Sequence, residues 1–468
     1  MRKIYLSYII LVIILFCITN TYALEVKIAG DRLSVYADQV PLQSILQRIA
    51  DLGIIIRIEP QLNPKISASF ENWKIQKGLA SILKPVNHVL IWNSIEGPLG
   101  PISRLAEIQV FTPGDKELIK PLGTRSVLSI AGNSKNGALF VKDEILLRFK
   151  PGMSLLELTK LLKQIGGTVV DSNAALGIYK IRLEENSDIP SLVEQVSKHP
   201  RVAKAEPNYV YPIAMPYKKS APTAPISMFF DNLSPEGSAP VAILDTGLGS
   251  DSGLQGFVLA SFDAMNPAAP ISDPLGHGTQ MALIAAGVVK PFGAGEDFKA
   301  QIPIIPIRAF DNNGFTSNFS IMRSIDFAIN HGARVMSLSW GSETRSGFLE
   351  NVLDLANAKG LIVVASAGNE PTGKPVYPAA YLSVVGVGAL APDGKFWKRS
   401  NYGNFVRLSA PGFATLPVGY KGDPGVYAGT SIAAAFVANI IANYISANPK
   451  ATKQEILTLI ERKQNRER

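Results

Sequence analysis

Apolar positions recur along the chain at three spacings, and the changes between them mark out its elements. Between Leu24 and Thr112, Val26-Lys27-Ile28 and Leu33-Ser34-Val35 alternate as strands do, while Leu42, Ile45, Leu46, Ile49 and Ala50 share one face of a helix opened by Pro41. Gly53 closes that helix. Ile54–Ile58 then reads as a buried strand, Ile75, Leu79, Ile82 and Leu83 as a second helix, and Val89–Trp92 as a further strand. Residues 113–138 are rich in Gly, Pro, Ser and Lys and read as a linker. A second small unit spans 139–215. It has a strand at Glu144–Phe149, a turn at Lys150-Pro151-Gly152, and a helix carrying Leu155, Leu158, Leu161 and Leu162 that ends at Gly166-Gly167. Strands Thr168–Val170 and Ile178–Leu183, a helix Pro190–Ser197 and the phrase Val202–Tyr209 complete it.

From residue 216 onward the apolar runs become continuous. Ala242–Leu244, Val335–Leu338, Leu361–Ala365 and Val384–Val387 are short and mostly β-branched, as strands buried on both faces of a parallel sheet are. Helical patterns fall between and after them: Thr279–Gly287, Ile321–Asn330, Phe348–Lys359 and Ser431–Ile445. That order predicts an α/β fold, a parallel sheet with helices on both faces, preceded by two small α+β domains. The ligand site of such a sheet lies at the carboxyl ends of its strands.

Composition narrows the classes. The chain has 468 residues, room for about three domains, with 47% hydrophobic and 18% charged residues, as in packed globular protein. Its net charge of +8 is not gathered into a stripe, which excludes nucleic acid as a partner. Arg2 and Lys3, the apolar run Ile9–Ile18 and Thr21-Tyr22-Ala23 have the layout of a signal peptide, so 1–23 is set apart and the protein is read as exported, periplasmic or extracellular. The single cysteine, Cys17, lies in that segment, behind Phe16 where a lipoprotein carries a small residue. The mature chain therefore has no disulfide, cysteine nucleophile or thiolate metal site.

Four phrases carry chemistry. Asp245 ends a strand in VAILDTGLG, His277 opens a helix in DPLGHGTQMA, Asn369 follows a strand in VVASAGNEP, and Ser431 opens the last long helix in YAGTSIAAAFVAN. Singly, each has a plain structural reading: an Asx turn, a helix cap with a core histidine, a turn, an N-cap. A serine hydroxyl becomes a useful nucleophile only when a base takes its proton, and a histidine oriented by a carboxylate does that near neutral pH.

Together, and in this order, the phrases resemble the subtilisin family over Val241–Ala438. The resemblance implies a serine endopeptidase acting on protein or peptide substrates, with Asp245, His277 and Ser431 as catalytic triad and Asn369 as side-chain donor of the oxyanion hole. It implies that Ser339, Trp340 and Gly341 pair with substrate backbone and wall the pocket for the residue before the cut. Val376 stands where many relatives have glycine at the pocket floor, so smaller side chains are expected there. No cofactor is required for this chemistry. Structural calcium is common in the family, but no loop here is assigned to it, and no metal ligands are named. Two departures stand out: Ala435 where the family usually has proline, and Asn439 where it usually has glycine; alanine restores a helical N–H, so the helix is expected to survive.

The unit 139–215, ending in Ala205–Val210 (AEPNYV), resembles the propeptide of the same family, a folding template and intramolecular inhibitor. Pro212–Pro225 is the exposed place for its removal. Leu33–Trp92, with VPLQSILQRIADLGI, resembles the short N-terminal domain of secretins and TonB-dependent receptors; for 24–112 this implies an envelope protein partner, against the plainer reading of an added packing domain. His88 and His199 lie outside the catalytic unit and are weaker candidates, and His331, before Gly332 at a helix end, is read as structural. The rival from another class is a catalytically inactive envelope scaffold. An aspartic dyad of Asp245 and Asp251 is rejected, because two carboxylates sharing a proton come from separate lobes.

Overall fold

The computed structural model describes residues 24–29, 32–51, 54–97, 100–114, 118–122, 128–134, 136–184, 186–214, 216–220, 237–266, 270–295, 298, 302–418 and 424–466. The expected signal segment with Cys17, and the helix-closing Gly53, lie outside these residues. The chain divides into two compact units, Met1–Gly123 and Thr124–Arg468.

The first unit contains β1 (Glu25–Ala29), β2 (Arg32–Pro41), α1 (Leu42–Asp51), β3 (Ile55–Ile58), β4 (Lys65–Lys74), α2 (Ile75–Ile82), β5 (Asn87–Gly97), β6 (Gly100–Phe111) and β7 (Lys120–Pro121). Among the described residues they form a sheet β1-β2-β4 and a sheet β5-β6-β3-β7. The helical faces read from the sequence are the buried ones: Leu42, Ile45, Leu46 and Ile49 pack with Leu79, Ile82 and Leu33. Three strands escaped the pattern: β4, whose inner face is only Ile66, Ala68 and Phe70; β6, which carries Pro101 and so suppresses a strand reading; and the two-residue β7, which lies inside the stretch expected as linker.

The second unit begins with β8 (Ile130–Gly132), β9 (Leu139–Phe149), α3 (Leu155–Gln164), β10 (Thr168–Asn173), β11 (Ile178–Arg182), α4 (Ile189–Ser197) and β12 (Val202–Pro212). β8 lies inside the stretch expected as linker and pairs with β9. Continuing along the chain come β13 (Tyr217–Ser220), β14 (Val241–Asp245), β15 (Phe262–Asp263), α5 (His277–Ala285), β16 (Ile304–Arg308), β17 (Phe315–Ser317), α6 (Asn318–Asn330), β18 (Val335–Leu338), α7 (Gly347–Ala358), β19 (Ile362–Ser366), β20 (Val384–Leu390), β21 (Val406–Pro411), β22 (Phe413–Leu416), β23 (Gly425–Ala428), α8 (Thr430–Ala447) and α9 (Lys453–Arg466).

Among the described residues β15-β16-β14-β18-β19-β20-β21 form one parallel sheet, with helices on both faces as the sequence predicted. Alternate residues of each strand feed opposite cores. Val241 and Ile243 pack with Met281 of α5 and Ile432 of α8, whereas Ala242 and Leu244 pack with Met322 of α6 and Leu349 of α7. This second core also takes Leu146, Ile178, Tyr211 and Ile213 from the preceding small domain. That domain's sheet, β10-β11-β9-β12, continues into β17.

Candidate active site

Asp245 is the last residue of β14, where the strand order reverses: β16 lies on one side and β18 on the other. Crevices at such points, beyond the strands' carboxyl ends, are where open α/β sheets bind ligands. His277 is the first residue of α5. The two segments meet backbone to backbone. A Cβ on Gly247, whose φ is +124°, would stand 1.9 Å from the Ser272 carbonyl oxygen, and one on Gly278 would stand 2.3 Å from that of Gly247. Only glycine permits this approach. It leaves Asp245 Oδ1 2.6 Å from His277 Nδ1, with both side chains buried.

A second carboxylate, which the sequence reading did not single out, ties the same segments together. Asp273 accepts from Thr246 Oγ1 (2.8 Å), Gly276 N (2.8 Å), Thr279 N (2.7 Å) and Thr279 Oγ1 (2.7 Å). Thr246 Oγ1 in turn accepts from Gly278 N at 2.7 Å, and Thr246 N donates to Asp245 Oδ1 at 2.7 Å. The only signal available was a carboxylate one helical turn before the histidine in DPLGH. Burial pushes the His277 imidazole toward its neutral form. The charge of Asp245, their hydrogen bond and the charge of Asp273 outweigh this and raise its pKa above the ordinary value. His277 Nε2 and Asp245 Oδ2 are buried without a hydrogen-bond partner among the described residues.

Ser431 is the second residue of α8, and its Oγ donates to the Ser339 carbonyl at 3.4 Å. Asn369 follows β19, and its Oδ1 accepts from both Thr430 N and Thr430 Oγ1 at 2.9 Å. Those two bonds fix the amide the way round that presents Nδ2 beside Gly429, 3.6 Å from where a Cβ would stand there. The structure thus gathers Asn369, Ser431 and Ser339 around the α8 N-terminus, while Asp245 ends β14, the strand next to β18, and His277 opens α5, which packs against α8. α8 runs unbroken through Ala435, and the buried Asn439 donates from Nδ2 to the Ala285 carbonyl at 2.9 Å, bonding α8 to α5.

Ser339, Trp340 and Gly341 continue β18. Trp340 is fully buried, its ring 5.3 Å from Tyr211 and 6.2 Å from Phe310. Val376 fills the space between this segment and the Asn369 turn. Its Cγ1 and Cγ2 lie 2.6 Å and 3.8 Å from the positions of a Cβ on Gly341 and on Gly368.

The cleft edge carries a strand of the chain itself. Val210 and Tyr211 of β12 pair with Ser317 and Thr316 of β17, Ile213 N donates to the Gly314 carbonyl at 2.8 Å, and Ile213 bridges Trp340. The Tyr211 hydroxyl donates to Asn318 Oδ1 at 2.9 Å in a fully buried setting. Beyond the α8 N-terminus the Pro216 Cα stands 3.8 Å from a Cβ position on Gly429, and Tyr217 of β13 pairs with Ala428 of β23. Upstream, Glu206 accepts from Ser346 Oγ (2.6 Å), Gly347 N (2.9 Å) and Phe348 N (3.4 Å) at the start of α7, and Asn208 Oδ1 accepts from Phe319 N (3.1 Å) at the start of α6. Gly314, Asn318 and Glu206 had no recognisable signal in the sequence.

The other titratable candidates stand apart. His331 Nδ1 is 2.8 Å from the Phe327 carbonyl and its ring stacks on Phe327, closing α6. Asp251 is exposed while Asp245 is buried, so the two do not form a dyad. Among the described residues no group of three or more His, Cys, Asp or Glu side chains is placed to hold a metal ion.

Residues 238–467 match the subtilase family, and residues 129–208 match the fervidolysin N-terminal prodomain, starting inside the stretch expected as linker. The chain is 32% identical to thermitase of Thermoactinomyces vulgaris over 210 residues, 44% of this chain and 74% of that protein. It is 29% identical to the thermophilic serine proteinase of Bacillus sp. (strain AK1) over 327 residues, 68% of this chain and 81% of that protein. In fold it resembles the crystal structure of fervidolysin from Fervidobacterium pennivorans, described as a keratinolytic enzyme related to subtilisin. The TM-score is 0.57 at 22% identity, over 72% of this chain and 59% of that one.

Proposed function

The chain belongs to the subtilase family and is a serine endopeptidase made with its own prodomain, and from that premise we propose that Asp245, His277 and Ser431 are its catalytic triad, with Asn369 completing the oxyanion hole. The observation that carries the assignment is the buried Asp245–His277 pair at 2.6 Å, held on β14 and α5, both of which pack against α8, the helix that opens with Thr430 and Ser431. Asp245 accepts the Nδ1 proton, which leaves Nε2 as the basic nitrogen. Nε2 takes the Ser431 proton as Oγ attacks the substrate carbonyl carbon, then gives it to the leaving amine as the peptide C–N bond breaks. Water repeats the sequence on the acyl-enzyme. The negative charge forming on the carbonyl oxygen meets the Ser431 amide at the positive end of α8 and the Asn369 Nδ2 donor. The family's chemistry needs no cofactor.

Substrate backbone would add as a strand against Ser339-Trp340-Gly341. With Ile213 opposite Trp340, antiparallel register sets Ala214 opposite Ser339, whose carbonyl is 3.4 Å from Ser431 Oγ. Pro216 already lies beyond Ser431, near Gly429. We therefore assign the self-processing bond to the one on the carboxyl side of Ala214. A small residue before the cut agrees with Val376 occupying the pocket between Gly341 and Gly368. The layout of residues 1–23 supports export, and the order of elements in 24–112 supports an envelope protein partner for the first unit.

The test is residues 24–468, wild type beside Ser431→Ala, followed by intact mass and N-terminal sequencing. Wild type should split to give an N-terminus at Met215, and the variant should stay whole. If both stay whole and neither is labelled by a serine-directed phosphonate, the inactive scaffold is the correct reading.

A further inference from the structure

We propose that β23, Trp397 and Arg399 form a substrate subsite beyond the cut, taking tyrosine at the third position after the cleaved bond. The proposal rests on the assignment of that bond to the carboxyl side of Ala214, which makes Tyr217 the third residue after it. The chain's own Tyr217 displays the mode of binding. Its backbone adds to the β23 edge, Tyr217 opposite Ala428, Lys218 opposite Tyr427 and Ser220 opposite Val426. The approach is close enough that a Cβ on Gly425 would stand 2.8 Å from the Ser220 carbonyl oxygen. The Tyr217 ring meets Trp397 edge-on at 5.8 Å, and Trp397 is buried against Phe413 of β22, their centroids 5.7 Å apart. The Arg399 guanidinium lies 3.9 Å from the Tyr217 ring centroid and donates to the Tyr217 hydroxyl.

Each part has a separable consequence. Strand addition to β23 uses main-chain groups and accepts any sequence that can extend. The edge-on Trp397 contact and the guanidinium stack select an aromatic ring. The hydrogen bond from Arg399 to the phenol oxygen selects tyrosine over phenylalanine. Lys218 and Lys219 are exposed, so the positions that follow carry less selection. After self-cleavage this edge must give up the chain's own strand before a substrate can use it, so the subsite serves first the proprotein and then its targets.

The experiment uses processed enzyme obtained from residues 24–468 and quenched-fluorescence peptides copying Tyr209–Lys219, with Tyr, Phe or Ala at the position of Tyr217. The kcat/KM for cleavage after the alanine copying Ala214 should fall about tenfold from Tyr to Ala, with Phe between them. In Arg399→Ala the ratio of Tyr to Phe should fall to about one; Arg399 is exposed, so this variant tests the contact without emptying the core. Equal rates for the three peptides, with the cut still after that alanine, overturn the subsite alone. Such a result means the β13 strand never leaves the edge or that the ring is not recognised. Cleavage elsewhere, or none, overturns the bond assignment, and the subsite falls with it.

Discussion

Asp273 has no atom in the proposed reaction, yet it decides how well His277 can act in it. Its carboxylate holds Thr246, Gly276 and Thr279 at once, so the turn after Asp245 and the first turn of α5 move as one piece. It also adds to the negative field that raises the His277 pKa against the effect of burial. The general base works as neutral imidazole, and a raised pKa keeps it protonated to higher pH. The acid limb of kcat/KM should therefore fall above the ordinary histidine value of about 6.5. In Asp273→Asn that limb should move to lower pH as one source of the raising field is removed, which a pH–rate profile of both proteins checks; a limb that stays put means Asp273 only braces the fold. Asn369→Ala removes the oxyanion donor together with the acceptor of the two Thr430 bonds, and should lower kcat about 10²–10³-fold with little change in KM. At Val376 the gain of space is the readout. Wild type should cleave after Ala more readily than after Phe, and Val376→Gly should shift that ratio toward Phe by about tenfold.

At the scale of elements, β12 does two jobs with one run of residues. Its last residues lead the chain into the cleft. Just before them, Glu206 and Asn208 satisfy orphan N–H groups at the starts of α7 and α6, where helix dipoles favour a negative charge. Charge-assisted bonds of this kind contribute roughly 1.5–3 kcal/mol, so Glu206→Ala should weaken inhibition by the cleaved prodomain about ten- to a hundredfold. The check is the lag between self-cleavage and the appearance of activity in the full chain, which should shorten, with Glu206→Gln between. An unchanged lag would mean the apolar contacts alone hold the prodomain. None of this could be read from AEPNYV, because a cap's partner lies more than a hundred residues along the chain. The catalytic strands were legible for the opposite reason: β14, β18, β19 and β20 are buried on both faces and spell themselves as apolar runs. Their neighbour β16 did not, since Pro306 and Arg308 interrupt its run; Arg308 is buried because Asp263, Ser272 and Asn312 bond its guanidinium. Asp245 and His277 could be named as candidates because their phrases are local, whereas Asp273, Gly314 and Asn318 act only through contacts that folding makes.

At the scale of the whole molecule, the three parts differ in how far they can be separated. The first unit closes a core of its own around Leu33, Leu42, Ile45, Leu46, Ile49, Leu79 and Ile108, and about a hundred residues suffice for an independent domain. The prodomain is different. Tyr211 and Ile213 lie in the same buried cluster as Leu244, Met322, Trp340 and Leu349, so that cluster is complete only while the strand leading to Ala214 is in place. Removing residues 24–123 should then leave self-cleavage intact, with the same new N-terminus by sequencing and the same order of yield. Removing 124–214 from the chain should give protein that reaches little activity when refolded from denaturant, and adding the missing segment in trans should restore it, because Tyr211 and Ile213 rebuild the cluster. Tyr211→Ala in the added segment takes away the phenol bonded to Asn318 together with its packing on Trp340, and large-to-small changes at buried aromatics typically cost about 3–5 kcal/mol. Its rescue should be weaker by orders of magnitude. Refolding that proceeds equally well without the segment would show that the catalytic sheet completes its second core unaided, and the shared cluster would then be a docking contact that plays no part in folding.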